Sequence, residues 1–515
     1  HTRARVEVGI HEGPRVRVGH IDVRGNEDTL ESVVRGRLAF TEGDIYRVSA
    51  LRTSQRRLGE LGVFAGINIG FEDPDVEAPV KTVVVQLIEQ LPQNLEIRGG
   101  FSLGQGLRAG LEYGYLNLLG RAMNFSLRAQ GGLLIPIEAL TPTFPVDVST
   151  SDLLTASVTP SLSFPHIAPL GPRFSATLDG VLARSLQPPS FALTTFGGGA
   201  SITFRPVPSL SFTLTGEVQR IATQLFGADS IEALLRNRYD ACYAEQMVIN
   251  PGNPDRWLSV CNTQQDTLSS QLRGIQAGSS LLGALRVGVA YDQRDSALTP
   301  TRGYYLSLTT ELLNVFAFAR TSRNEPDTLS RLTVHAEARA TGYIPLPFGG
   351  WVLMVSGRVG QNFQLDDRPN ARTHPSRLFF LGGANSMRGW LQNQLVPQDK
   401  VDEVRNVADA QERRVRLAQA LGGELMLNFI VDLRIPTGLC GGGFCLALGA
   451  FLDVGNTWRD PTTLMSSFNL RYSPGVGLRV TSPFGIIAFD VGFNPAYEPL
   501  VREDWWQVQF SLGST

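Results

Sequence analysis

The residues best placed to do chemistry sit in one phrase, Arg377-Leu-Phe-Phe-Leu-Gly-Gly-Ala-Asn-Ser-Met-Arg-Gly-Trp390. Gly382, Gly383 and Gly389 permit a tight backbone path, and between Gly382 and Trp390 the sole charge is Arg388, flanked by Met387. A planar guanidinium suits two carboxylate partners, which is chemistry that holds a loop rather than turns over a substrate. Two aspartates follow on alternating segments. Leu425, Leu427, Phe429, Val431 and Leu433 share one face, whereas Glu424, Asn428, Asp432 and Arg434 share the other. Asp453 keeps company with Ala447, Gly449, Phe451 and Gly455, opposite Leu446, Leu448, Leu452 and Val454. Both carboxylates therefore belong to polar or small-residue faces.

Other reactive groups are dispersed. The four cysteines fall as two close pairs, Cys242 with Cys261 and Cys440 with Cys445, and no histidine lies beside either. Zinc needs four ligands brought together, so no metal site is expected. Local disulfides that staple loops are favoured over free thiols in an oxidising compartment. The six histidines are scattered, His166 in a short turn and His374 in a long loop. No Ser-His-Asp spacing, HExxH or phosphate-binding loop occurs, so no enzyme and no cofactor is expected. Gly197-Gly-Gly199 reads as room for close strand packing, and Gly441-Gly-Gly-Phe444 as a turn.

The elements that must position Arg388, Asp432 and Asp453 change period along the chain. With 515 residues, two or more units are expected, and a net charge of -2 argues against nucleic acid. Only 18% of residues are charged, and no apolar run is long enough for a spanning helix. That excludes helical membrane proteins alone, because barrel strands alternate and average to neutral hydropathy. The chain opens His1-Thr2-Arg3 rather than on a signal peptide, as a processed or truncated chain would.

Residues 14–91 read as a β-α-α-β-β module. A strand over 15–23 ends at Gly25-Asn26; helices follow over about 28–38, with Leu30, Val33, Val34 and Leu38, and about 47–61, with Val48, Leu51, Leu58 and Leu61. Strands at 67–71 and 82–88 close it. From 94 to 515 the period is two, in sixteen segments starting near 94, 106, 121, 153, 172, 191, 209, 284, 303, 329, 350, 422, 444, 470, 484 and 505. An even count returns the chain to its starting side, and an open edge in lipid would strand backbone groups, so a closed antiparallel transmembrane barrel is expected. Short Pro/Gly turns such as 205–209 and 345–349 alternate with long loops, including 224–283 and 365–421. The short turns are expected to be periplasmic. The 224–283 loop matches nothing recognisable, and its expected place is a cap over the pore.

The phrase at 377–390 resembles the loop-6 signature of the BamA/TamA superfamily, with Met387 and Trp390 in place of the usual valine and Phe or Tyr. The module at 14–91 resembles a POTRA domain, and residues 1–13 look like the end of a preceding one. Tyr291–Tyr304, Gly475–Gly485 with Phe489–Gly492, and the terminal Trp505–Gly513 also resemble family segments, the last its C-terminal β-signal. The resemblance implies an outer-membrane barrel with a periplasmic POTRA and an Arg388 latch on Asp432 and Asp453 inside the lumen. It implies a seam between first and last strands, at Gly99, Gly100, Trp506 and Phe510, that opens to fold and insert unfolded outer-membrane protein clients. Partners would be those clients, the lipid bilayer, and periplasmic accessory proteins or lipoproteins on the POTRA. A two-partner secretion transporter of the FhaC type, exporting one dedicated substrate, shares these motifs; a passive pore would give loop 6 and the POTRA no purpose.

Overall fold

Alternation of apolar and polar residues gives a strand two chemically different faces, and this chain resolves the conflict by closing on itself. In the computed structural model, residues 15–135, 149–165, 167, 170–187, 190–226, 228–272, 275–297, 299–320, 329–366, 371–482, 485–501 and 503–512 are described. Residues 1–13, read above as the end of a preceding module, and His166 lie outside them.

The N-terminal module runs β1 (Arg17–Arg24), α1 (Glu31–Arg35), α2 (Val48–Gly59), β2 (Phe64–Phe71) and β3 (Val80–Glu89). Its sheet has the order β1-β3-β2, with β1 parallel and β2 antiparallel to β3. Val33, Val34, Leu51, Leu58, Val83 and Val85 form the core between helices and sheet. Two details depart from expectation. Val48 opens α2 and is exposed, because the first helical residue lies beyond the sheet's reach. Helix α1 is shorter than 28–38, because Leu30 is extended and donates its N–H to Gly120 O at 2.9 Å. That bond ties the module to the barrel. Arg37 adds two more, donating to the Pro165 and Pro172 carbonyls in a barrel turn.

Sixteen strands make the barrel. The first eight are β4 (Gln93–Ser102), β5 (Gly106–Leu118), β6 (Met123–Leu133), β7 (Leu154–Phe164), β8 (Phe174–Gln187), β9 (Phe191–Val207), β10 (Leu210–Leu225) and β11 (Gly278–Asp292). The rest are β12 (Gly303–Arg320), β13 (Leu332–Pro345), β14 (Val352–Gln364), β15 (Leu425–Gly441), β16 (Phe444–Trp458), β17 (Arg471–Ser482), β18 (Gly485–Phe493) and β19 (Trp506–Leu512). Each pairs antiparallel with its sequence neighbours, and β19 returns to β4. Outward residues such as Leu285, Val287, Leu306, Leu308, Phe429, Val431, Leu448 and Leu452 are exposed and apolar. A continuous apolar belt of this kind is matched to lipid. Among the described residues, no helix is long and apolar enough to cross a membrane. At Gly198, an added Cβ would lie 2.8 Å from Asp179 O, so the glycine run does serve close strand approach.

Strand β11 begins at Gly278, six residues before the expected 284. Here Leu282 faces inward with Leu313 and Val315 of β12, and Phe380 of loop 6 packs against this cluster. With apolar residues on both faces, alternation disappears and the strand is hidden from a period-two reading.

The long loops fold. Between β10 and β11 lie α3 (Ala228–Ile249) and α4 (Pro254–Leu272), joined by a Cys242–Cys261 disulfide. Loop 6, between β14 and β15, carries α5 (Gln398–Arg405) and α6 (Ala410–Ala420). Ile231, Leu234 and Leu235 of α3 pack on Val415 of α6, and Arg238 reaches Asp409 at 2.7 Å and Glu412 at 2.9 Å. Cys440 and Cys445 pair across the β15–β16 hairpin as a second disulfide.

Among the described residues, β18 and β19 share seven register pairs, and β19 and β4 share two, Ser511 with Ser102 and Leu512 with Phe101.

Candidate functional site

Loop 6 enters the lumen as an extended limb. Phe379 exchanges both backbone hydrogen bonds with Gly423, at 2.9 and 2.8 Å, and Phe379, Leu381, Met387, Trp390, Leu395 and Met426 form a buried cluster. The limb then reverses at Gly382 (φ 117°) and Gly383 (φ 93°), a backbone region that side chains resist. The Gly383 N–H donates to Met387 O at 3.1 Å and Trp390 O at 3.0 Å, closing the turn. Ser386 Oγ clips it by accepting from Gly382 N and donating to Gly382 O, both at 3.0 Å. The apolar cluster fixes the limb, so the turn directs its one charged residue onto the barrel wall.

That residue is Arg388. Its Nε donates to Asp453 Oδ2 at 2.9 Å and its Nη2 to Asp453 Oδ1 at 2.6 Å, a two-pronged pairing. Its backbone N–H donates to the same carboxylate at 2.9 Å, and Nη1 donates to Asp432 Oδ2 at 3.0 Å. The guanidinium lies 3.3 Å from the Phe451 ring centroid, in cation–π contact. Arg388 and both aspartates are at most 3% exposed.

Glycines on the facing strands make the slot. A Cβ on Gly389 would stand 2.7 Å from Ser473 Oγ and 3.0 Å from Phe493 O, so the loop backbone lies directly against β17 and β18. One on Gly492 would meet the Arg388 carbonyl carbon at 2.5 Å. From the last strand, Gln509 donates to Arg388 O at 3.2 Å and to Trp390 O at 2.9 Å. The loop is thus linked to the strand that closes the barrel.

Several of these participants escaped the sequence reading. Asp490 of β18 lies 3.7 Å from Arg388, and Arg479 of β17 bridges Asp432 at 3.0 Å and Asp490 at 3.5 Å. Arg388 and Arg479 thus share three carboxylates, and Arg434 Nε lies 3.9 Å from Asp432 as well. Asp490 had a signal: it sits between the outward Phe489 and Val491, with the same parity as Asp453. Arg479 and Gln509 had none beyond parity. Among the described residues, no group of His, Cys, Asp or Glu is arranged to hold a metal ion.

Gly382, Gly383, Met387, Arg388, Gly389, Trp390, Asp432 and Asp453 come together in this lumen site. The expected seam residues separate. Phe510 reaches the β4–β19 junction, its ring 6.0 Å from Phe101. Trp506 lies at the other end of β19, opposite Phe493. Gly99 and Gly100 pair with Ala109 and Arg108 on β5, and no described residue of β19 pairs with either. The cysteines bind each other, in the α3–α4 hairpin and at the β15–β16 turn, and take no part in the site.

Comparison with known proteins gives this architecture its relatives. The family model described as the Omp85 superfamily domain matches residues 117–515, and a POTRA model described as a surface antigen variable number repeat matches residues 16–87. The outer membrane protein assembly factor BamA of Neisseria meningitidis serogroup B is 23% identical over 98% of this chain and 57% of its own length. That of Neorickettsia risticii is 21% identical over 95% of this chain and 54% of its own. The chain thus spans just over half the length of these curated relatives. Among solved structures, BamA from Haemophilus ducreyi lacking POTRA domains 1–3 matches with a TM-score of 0.65 at 17% identity, covering 98% of this chain and 85% of that one. CdiB from Escherichia coli matches at 0.55 and 12% identity, covering 96% and 76%.

Proposed function

The chain belongs to the Omp85 superfamily, and from that membership we propose that it folds and inserts client outer-membrane barrel proteins through a seam between β4 and β19. It is an outer-membrane barrel with a periplasmic POTRA module and, like the assembly factors it matches, not an enzyme. The POTRA is proposed to span residues 14–91 and the barrel 94–515.

The observation that supports the proposal is the docking of loop 6 on the last strand, where Gln509 of β19 donates to the Arg388 and Trp390 carbonyls. Among the described residues β19 and β4 share two register pairs, and strands held by few backbone hydrogen bonds part at low cost in lipid. An opened edge presents unpaired N–H and C=O groups that template an incoming strand. In this reading, Arg388, Asp432 and Asp453 keep loop 6 docked against the seam side, with Gln509 of β19 sensing its position. The exposed edge of the POTRA sheet would receive clients or accessory lipoproteins. The second reading, export of one dedicated substrate, would pass that substrate through the lumen once loop 6 is withdrawn.

The test locks the seam. Ser102→Cys with Ser511→Cys, register partners across it, is oxidised in protein reconstituted into vesicles and supplied with an unfolded client barrel. Insertion should fall to the uncatalysed rate and recover on reduction, with wild-type protein controlling for the native disulfides. Insertion at full rate through a locked seam refutes the proposal. Continued export of a substrate across the locked barrel establishes the alternative.

A further inference from the structure

Loop 6 carries a second sequestered cation, eleven residues before Arg388, that the latch does not use. On another stretch of wall, Glu217 of β10, Arg286 of β11 and Glu311 of β12 face the lumen together. Arg286 Nε donates to Glu311 Oε2 at 2.8 Å and Arg286 Nη2 to Glu217 Oε1 at 3.4 Å. Alone, this trio holds two carboxylates against one guanidinium, and the Glu311 side chain is only 1% exposed. Arg377 completes it from the loop: Nε donates to Glu311 Oε1 at 2.5 Å, and Nη2 donates to Glu217 Oε1. The charges then balance, which a carboxylate so removed from water requires.

The surroundings keep Arg377 on station. Its carbonyl accepts from Asn362 Nδ2 at 3.0 Å, and Asn362 also donates to Glu424 at 3.0 Å. The neighbouring His374 is buried, with Nε2 3.1 Å from Ser280 Oγ of β11. Around the barrel, β13 and β14 separate the wall that receives Arg377 from the β15–β18 wall that receives Arg388.

We propose that Arg377 is a second positioning residue, clamping the entering limb of loop 6 to β10 and β12 so that the loop is a strap fastened at two walls. The limb is fixed before the turn, and Arg388 meets Asp453 from a defined direction. Release of the loop then requires two ion clusters to open, one on each wall. The consequence for client insertion rests on the loop-6 reading above; the clamp itself does not.

Hydrogen–deuterium exchange on the membrane-reconstituted protein, read over 373–381 and separately over 384–392, tests the clamp. Arg377→Ala should speed exchange in the first segment by about tenfold or more and in the second by much less. Arg388→Ala should reverse that order. Glu311→Gln, which preserves volume, serves if Arg377→Ala does not give a folded, heat-modifiable barrel. The exchanged pair Arg377→Glu with Glu311→Arg restores two charges of each sign and should restore protection. Unchanged exchange in folded Arg377→Ala or Glu311→Gln overturns the clamp, and so does a rise that the exchanged pair does not reverse. Accelerated exchange with full client insertion leaves the clamp standing and removes loop-6 placement from the insertion mechanism.

Discussion

Replacing Arg388 by alanine tests whether the latch is a matter of charge or of packing. The substitution removes both side-chain hydrogen bonds to Asp453, leaving that carboxylate, at 0% exposure, with only the Arg388 backbone N–H among the contacts described above. Asp432 and Asp490 fare better, because Arg479 still serves both. The cost is therefore concentrated on one orphaned charge, and breaking a buried pair from one side costs about 3–5 kcal/mol. Adding Asp453→Asn makes the orphan neutral at nearly constant volume. The remaining penalty should then approach that of lost hydrogen bonds, about 1–3 kcal/mol. The assay is urea unfolding of the reconstituted protein followed by tryptophan fluorescence, comparing Arg388→Ala with Arg388→Ala/Asp453→Asn. Recovery of roughly half the loss is expected. If the double variant is as unstable as the single, burial of charge is not what holds the loop, and the electrostatic account fails.

Gly389→Ala should destabilise by about 1–3 kcal/mol, because its Cβ would crowd Ser473 Oγ and Phe493 O; Ser473→Ala should relieve only part, since the carbonyl cannot retreat, and equilibrium unfolding of both variants checks it. His374 is held neutral by burial first and by nearby Arg377 second, which push its pKa from 6.5 to about 3. The unfolded chain gains a proton below 6.5 that the folded protein refuses, so this residue should erode stability as pH falls from there toward 3; unfolding midpoints of wild type and His374→Gln should converge at low pH. In the β5–β6 turn beside the POTRA, Leu119 has φ 60° and its side chain is exposed, so Leu119→Gly should stabilise by about 1 kcal/mol in thermal unfolding, and a loss would show the turn unstrained.

The sequence alone determined which face each strand residue occupies. Side-chain direction along a strand is local and has period two, so Asp432 and Asp453 could be placed inside without knowing their neighbours, and all sixteen strands could be counted. It also determined the turn that carries Arg388, because Gly382 and Gly383 mark a backbone path that other residues resist. Parity is silent on height along the barrel axis and on position around its circumference. For that reason Asp490 and Arg479 joined the latch unannounced, and Glu217 met Arg377 across 160 residues of chain. Loss of alternation hid the start of β11, where Leu282 is covered by loop 6 instead of water. The path of that loop, the docking of α3 on α6 and the contact of Gln509 with the latch were decided only by tertiary structure. Each depends on which distant side chains the closed wall brings within a few ångströms, and no local pattern encodes that register.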